Sequence, residues 1–117
     1  MLEAIGPATV AVAAFASNSN EADIAAFAAA AHQAGKPLIV DAAMALPPAA
    51  NLRGLVAAGA DLVAFSGGKE LRGPQASGFL AGPAAIIESV ARQHQDFAAN
   101  DGTWEQGGGL GSPGHGI

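Results

Sequence analysis

The chain contains no cysteine, which excludes disulfides and thiolate-bound metals. Its three histidines are His32, His94 and His115. No two of them have ligand spacing, so a metal site is not expected. Charge is sparse: 13% of the 117 residues are Asp, Glu, Lys or Arg, against roughly a quarter in an ordinary soluble domain. That shortage points to a surface covered by another part of the chain or by a second subunit. Basic residues are the scarcer sign, with five Lys and Arg against ten Asp and Glu, a net charge of −5. No basic run occurs, and phosphate contacts need clustered Lys and Arg, so this segment is not expected to bind nucleic acid. No apolar stretch escapes Gly, Pro or charge long enough to span a bilayer. The N-terminus lacks the basic region of a signal peptide. The expectation is a cytoplasmic protein with no membrane contact. Large rings are few as well, only Trp104 and five phenylalanines. Half the residues are apolar, but alanine supplies much of that and buries little area, so the core is expected to be thin. The length suffices for one small domain.

What is present alternates between short apolar runs and helical patterns. Thr9 to Phe15 reads as a buried strand weakened by three alanines. Ser17-Asn18-Ser19-Asn20 is a polar turn rich in N-cap residues. From Glu21 the periodicity is helical, with Ile24, Phe27, Ala28 and Ala31 on one face and Gly35 and Pro37 as the stop. Residues 37–41 form a second short strand. A loop with Pro47-Pro48 follows, then a helix from Asn51, read as its N-cap, to Ala58. Gly54 inside that helix costs about 1 kcal/mol against alanine, so the helix needs packing to persist. Leu62 to Ser66 suits a third strand and Ser77 to Ala81 a fourth. Gly82-Pro83 opens a last helix reaching about His94, with Ile86, Ile87 and Val90 inward. The order is β-α-β-α-β-β-α. Right-handed crossovers make the first three strands parallel. The link to the fourth is too short for a crossover, so that strand is expected antiparallel.

The chemistry gathers around Asp41 and the stretch from Ser66 to Gln75. Asp41 and Ser66 fall at the carboxyl ends of neighbouring strands, where open α/β sheets bind their ligands. Lys69 follows the glycine turn Gly67-Gly68. A lysine held there is a candidate Schiff-base nucleophile, because burial disfavours the ammonium form. An acid beside such a lysine suits pyridoxal phosphate: the amine holds the aldehyde and the carboxylate keeps the pyridine nitrogen protonated. Ser66 and the backbone N–H groups around it could bind the phosphate.

The residues Asp41-Ala42-Ala43, Leu46-Pro47-Pro48, Asn51-Leu52, Gly59-Ala60-Asp61-Leu62-Val63, Phe65-Ser66-Gly67-Gly68-Lys69, Arg72-Gly73-Pro74-Gln75 and Ser77-Gly78 closely resemble the selenocysteine synthase-like family. These are fold-type I pyridoxal phosphate enzymes, among them bacterial L-seryl-tRNA selenium transferases and D-glucosaminate-6-phosphate ammonia-lyases. The resemblance runs from about Thr9 to His94. It implies an α/β fold, part of the large PLP-transferase domain, with a Schiff base at Lys69. It further implies that Asp41 pairs with the pyridine nitrogen, Ser66 lies near the phosphate and Ala43 near the ring. Arg72 is a candidate to meet a substrate carboxylate or phosphate. The Gly-Gly-Lys-x-x-Arg-Gly-Pro-Gln form resembles the lyase-like branch more than the selenium transferases, where Gly-Asp-Lys and a glycine at position 72 are expected. The family's N-terminal phosphate-cradling part and C-terminal small domain are not matched. Residues 1–99 are therefore expected to be a partial cofactor-binding domain, and the glycine-rich residues 100–117 a loop or linker.

Other residues have plainer readings. Asp61 is a turn residue at the far end of its strand. His32 and His94 lie late in helices, where a cation suits the dipole. Ser-Gly-Gly-Lys is no Walker A loop, since Val63 and Glu70 occupy the positions of its first glycine and its hydroxyl residue. Gly109 to Gly114 spell G-x-G-x-x-G without a strand before or a helix after. The expected function is a pyridoxal phosphate-dependent lyase or transferase acting at Cα/Cβ of an amino acid or amino sugar acid, in a homo-oligomer. The rivals are true selenium transfer on seryl-tRNA and a non-catalytic α/β binding module.

Overall fold

Short apolar strands separated by alanine-rich helices can bury their faces only by layering. In the computed structural model, which describes residues 2–16 and 21–94, they do so in one unit ending at Gly82, followed by a second that opens at Pro83. After a 3-10 turn at Leu2–Ala4 the first unit runs β1 (Val12–Phe15), α1 (Glu21–Gln33), β2 (Leu38–Asp41), α2 (Asn51–Ala57), β3 (Leu62–Ser66) and β4 (Gly78–Ala81). The sheet order is β1-β2-β3-β4. The first two pairings are parallel and the last is antiparallel, as the connection lengths require.

Strand β1 starts three residues later than the sequence suggests. Thr9 instead closes a turn: its N–H donates to the Gly6 carbonyl and its Oγ1 accepts from the Gly6 N–H, both at 3.0 Å. Val10 is 86% exposed. Helix α1 carries Glu21 and Asp23 in its first turn, where acids suit the helix dipole. At its end the Lys36 N–H donates to Ala31 O and the Gly35 N–H to His32 O, both at 2.9 Å. Gly35 holds φ 70°, the left-handed cap that glycine adopts without strain. Helix α2 closes with the same bond pattern, from Ala60 to Leu55 and from Gly59 to Val56.

Asn51 is not the N-cap of α2. Ala50 holds that position with a helical backbone and no side-chain cap, because 3-10-type bonds from Asn51, Leu52 and Arg53 back to Pro48, Ala49 and Ala50 have already begun the coil. Asn51 uses its amide Nδ2 to donate to Ala45 O at 2.7 Å, tying the helix to the loop after β2.

One face of the sheet is covered and the other is open. Successive strand residues alternate faces. Leu38 and Val40 of β2 and Val63 and Phe65 of β3 are buried with Ile24, Ala28 and Ala31 of α1 and Leu55 of α2. Ile24, Leu38, Val40 and Val63 are the largest fully buried side chains, and each full burial is worth about 1.5–3 kcal/mol. The remainder of this core is mostly alanine, thin as the composition implied. Phe65 and Phe79 stack across β3 and β4 with centroids 5.1 Å apart. The open face carries Phe15, Ile39 and Leu80, which are 70%, 37% and 40% exposed.

The second unit contains α3 (Ala84–Gln93). Pro83 stands at its N-cap, and Arg92 pairs with Glu88 at 2.6 Å. Ile86, Ile87 and Val90 are its sheltered side chains, half-buried rather than fully so. The polar turn 17–20, the glycine-rich residues 100–117 and His115 lie outside the described residues. No helix of the described residues is long and apolar enough to cross a membrane. No group of three His, Cys, Asp or Glu among them could hold a metal ion.

Candidate active site at the carboxyl edge of the sheet

The parallel pairing of β2 with β3 sets Asp41 opposite Ala64. Paired residues point to the same side of a sheet, so Asp41 is on the open face with Ala64. Ser66 is two residues further along β3 and returns to that face. The acid and the hydroxyl are thus offset by one strand spacing of about 4.8 Å and by about 6.6 Å along the strand. Lys69 lies three residues beyond, in the turn that leaves this edge. The amine-bearing loop, the hydroxyl and the carboxylate therefore share one end of the sheet, and two of the three are shown by register to share its open face.

Each group has a local anchor. Asp41 is exposed. Its Oδ1 accepts from the Ala43 N–H at 3.0 Å, and its backbone carbonyl accepts from Ala16 N at 2.9 Å. Ala43, half-buried, thus fixes the carboxylate through its backbone. Ser66 is half-buried and pairs with Gly78. Lys69 is exposed, so the burial expected around it is not supplied by the described residues. No ion pair joins it to Asp41 among those residues.

The loop from Gly67 to Ser77 is closed by its own backbone. Gly67 N–H donates to Ser77 O at 2.9 Å, Gly73 N–H to Gly67 O at 2.7 Å, and Arg72 N–H to Lys69 O at 2.9 Å. The Gly67 amide is therefore committed to Ser77 rather than free for a phosphate as the sequence suggested. A side chain at Gly68 would stand 2.7 Å from the Gln75 Cα, so the two arms of the loop can approach only with glycine there. Arg72 is exposed and takes φ 54°, an uncommon backbone for a residue with a Cβ. A glycine would sit there without strain.

A second polar cluster occupies the opposite end of the sheet. Asp61 Oδ2 accepts from the Leu38 N–H and meets His32 Nε2, each at 2.7 Å. Burial alone pushes the Asp61 carboxyl up, but the His32 and Leu38 hydrogen bonds and the His32 charge outweigh it and hold the carboxyl below its ordinary 3.8. Sequence reasoning missed this pairing. The two partners are 29 residues apart, and only the return of α1 to the start of β2 brings them together.

A family model described as L-seryl-tRNA selenium transferase matches residues 7–98. A D-glucosaminate-6-phosphate ammonia lyase from Salmonella typhimurium (strain 14028s / SGSC 2262) is 47% identical over 62 residues, 53% of this chain. The chain spans only 15% of that relative's length. The family match covers both parallel crossovers, the Asp41 edge and the whole Lys69 loop, and on that extent the chain belongs to the L-seryl-tRNA selenium transferase family.

Proposed function

We propose that this chain carries the lysine-bearing part of a pyridoxal phosphate-dependent lyase or transferase acting at Cα/Cβ of an amino acid or amino sugar acid. The observation that carries this reading is the β2–β3 register, which sets Asp41 and Ser66 on one open face at the edge from which the Lys69 loop departs. The donor set fits the cofactor. Asp41 has one oxygen held by Ala43, leaving Oδ2 for a protonated ring nitrogen. Ser66 stands further along the neighbouring strand, as a phosphate partner at the other end of the same molecule would. Between them in the β2–β3 register this face carries the small side chain of Ala64.

In this reading Lys69 Nζ would hold the cofactor covalently. Asp41 would keep the ring nitrogen protonated, Ser66 would bind the phosphate, and Ala43 would lie near the ring. When bound, pyridoxal phosphate supplies an electron sink for negative charge at the substrate's Cα. Lys69 Nζ would take the proton from the substrate's Cα as general base. Arg72, three residues on, would orient a carboxylate or phosphate of the substrate. The lyase reading draws on the name of the Salmonella relative and on the presence of arginine at position 72. The description of the family model favours a second reading, selenium transfer on seryl-tRNA. Affinity of the complete gene product for seryl-tRNA separates the two. Sparse charge and the open apolar face fit a cytoplasmic homo-oligomer.

The test is absorbance. The complete protein with pyridoxal phosphate is expected to show the band of a lysine-bound cofactor, abolished by Lys69→Ala. A band that survives that substitution defeats the proposal.

A further inference from the structure

We propose that Ser77 is a positioning residue for Lys69, locking the loop that presents the amine. The inference rests on the reading of Lys69 as the cofactor lysine and extends it to a residue outside the donor set.

The loop that carries Lys69 has two closures. The first is the Gly73-to-Gly67 bond at 2.7 Å, which cinches residues 67–73 into a small ring with Lys69 near its apex. The second is made by Ser77. Its backbone carbonyl accepts from Gly67 N–H at 2.9 Å, and its own N–H donates to Pro74 O at 3.0 Å. Its hydroxyl donates to the same Pro74 oxygen at 2.6 Å. The Ser77 Oγ also fills the place where a Cβ on Gly67 would stand, and lies 3.6 Å from the corresponding place on Gly73. One hydroxyl therefore bonds the return arm at Pro74 and occupies the space beside Gly67. Among the described residues of the loop, it makes the one side-chain hydrogen bond.

This arrangement has a consequence for the amine. Lys69 is exposed, and its backbone carbonyl is engaged only by Arg72 N–H. Beyond the backbone closures at Gly67 and Gly73, the Ser77 hydroxyl is the side-chain anchor of the ring among the described residues. Removing the Ser77 hydroxyl leaves Pro74 O with one donor and empties the space against Gly67. The ring can then pivot about its neck, and the amine samples positions away from the edge that holds Asp41 and Ser66.

Lys36 is the only other lysine in the chain and serves as an internal control. The 117-residue chain is incubated with pyridoxal phosphate and reduced with borohydride, and the pyridoxyl label at Lys69 is compared with that at Lys36. In parallel, amide hydrogen exchange is measured at Gly67 and Gly73. Ser77→Ala is expected to lower the Lys69-to-Lys36 ratio and to speed exchange at both glycines by about tenfold, the loss of one ordinary hydrogen bond. The thermal midpoint is expected to change little. Ser77→Thr, which keeps the hydroxyl, is expected to restore both readouts. Unchanged exchange in Ser77→Ala overturns the proposal, as does an unchanged labelling ratio or a failure of Ser77→Thr to rescue. An even ratio in the unsubstituted chain counts instead against the cofactor reading of Lys69, and the exchange rates then decide the loop claim alone.

Discussion

The imidazole of His32 and the carboxylate of Asp61 meet at 2.7 Å, at the end of the sheet opposite the Asp41 edge. The same Asp61 oxygen accepts the N–H of Leu38, a residue with no exposed surface. One carboxylate thus joins the end of α1 to the first residue of β2, at the start of β3.

Acid should loosen this clasp. The Asp61 carboxyl titrates lower in the folded chain than its ordinary 3.8, so its ionised form favours folding. That contribution is complete above the unfolded value and is lost as pH falls through the lower folded one. Urea midpoints measured from pH 6 downward are expected to drop most steeply below about pH 4. Asp61→Ala should flatten this limb and cost about 1–3 kcal/mol at neutral pH, because the buried Leu38 N–H loses its partner. An unaltered acid limb in that variant would remove Asp61 from the account.

The two faces of the sheet should respond differently to truncation. Ile24→Ala, at a position with no exposed surface, is expected to cost about 2–5 kcal/mol. Ile39→Ala, on the open face and 37% exposed, should cost about 1 kcal/mol or less in the isolated chain. Equal losses in chemical denaturation would show that the second face is covered too.

These elements were unequally legible in the sequence. Strand β3 is bounded by Asp61 and Gly67, and its limits Leu62–Ser66 follow from that punctuation alone. Asp41 and Ser66 at one edge follow from two crossovers of a single hand. Thr9 misled because a hydroxyl that closes a turn looks like a β-branched strand residue. Asn51 misled because a good capping residue stood one position inside a coil that Pro48 to Ala50 had already started. The His32–Asp61 pair is a contact between distant residues, for which local pattern offers no signal. Nor could periodicity show that the Lys69 loop uses its own amides, since that depends on Gly68 passing within contact of Gln75.

The glycine at position 68 gives a direct check on that loop. Gly68→Ala places a methyl against the Gln75 backbone, 2.7 Å from its Cα. The loop must open, with an expected loss of about 1–3 kcal/mol. Gly6→Ala, with nothing within 4 Å of the new methyl, is the matched control and should be nearly neutral by thermal melting. Comparable shifts for both would mean the close approach is not present in solution.

Arg72 separates backbone from charge. Its φ of 54° suits glycine and disfavours a β-branched residue. Arg72→Gly is expected to keep the loop intact and remove only the guanidinium, weakening anionic substrates while leaving Lys69 reactive. Arg72→Val should impair both. Steady-state kinetics of the complete enzyme, read as KM for Arg72→Gly against loss of cofactor for Arg72→Val, distinguishes the two roles.

The central claim is that one amine, at Lys69, and one carboxylate, at Asp41, serve the same bound cofactor. Pyridoxal phosphate trapping by borohydride, mapped by peptide mass spectrometry, tests it most directly. The account predicts label concentrated on Lys69, absent in Lys69→Ala and markedly weaker in Asp41→Asn. Label spread evenly over Lys36 and Lys69, or unchanged by Asp41→Asn, would contradict it.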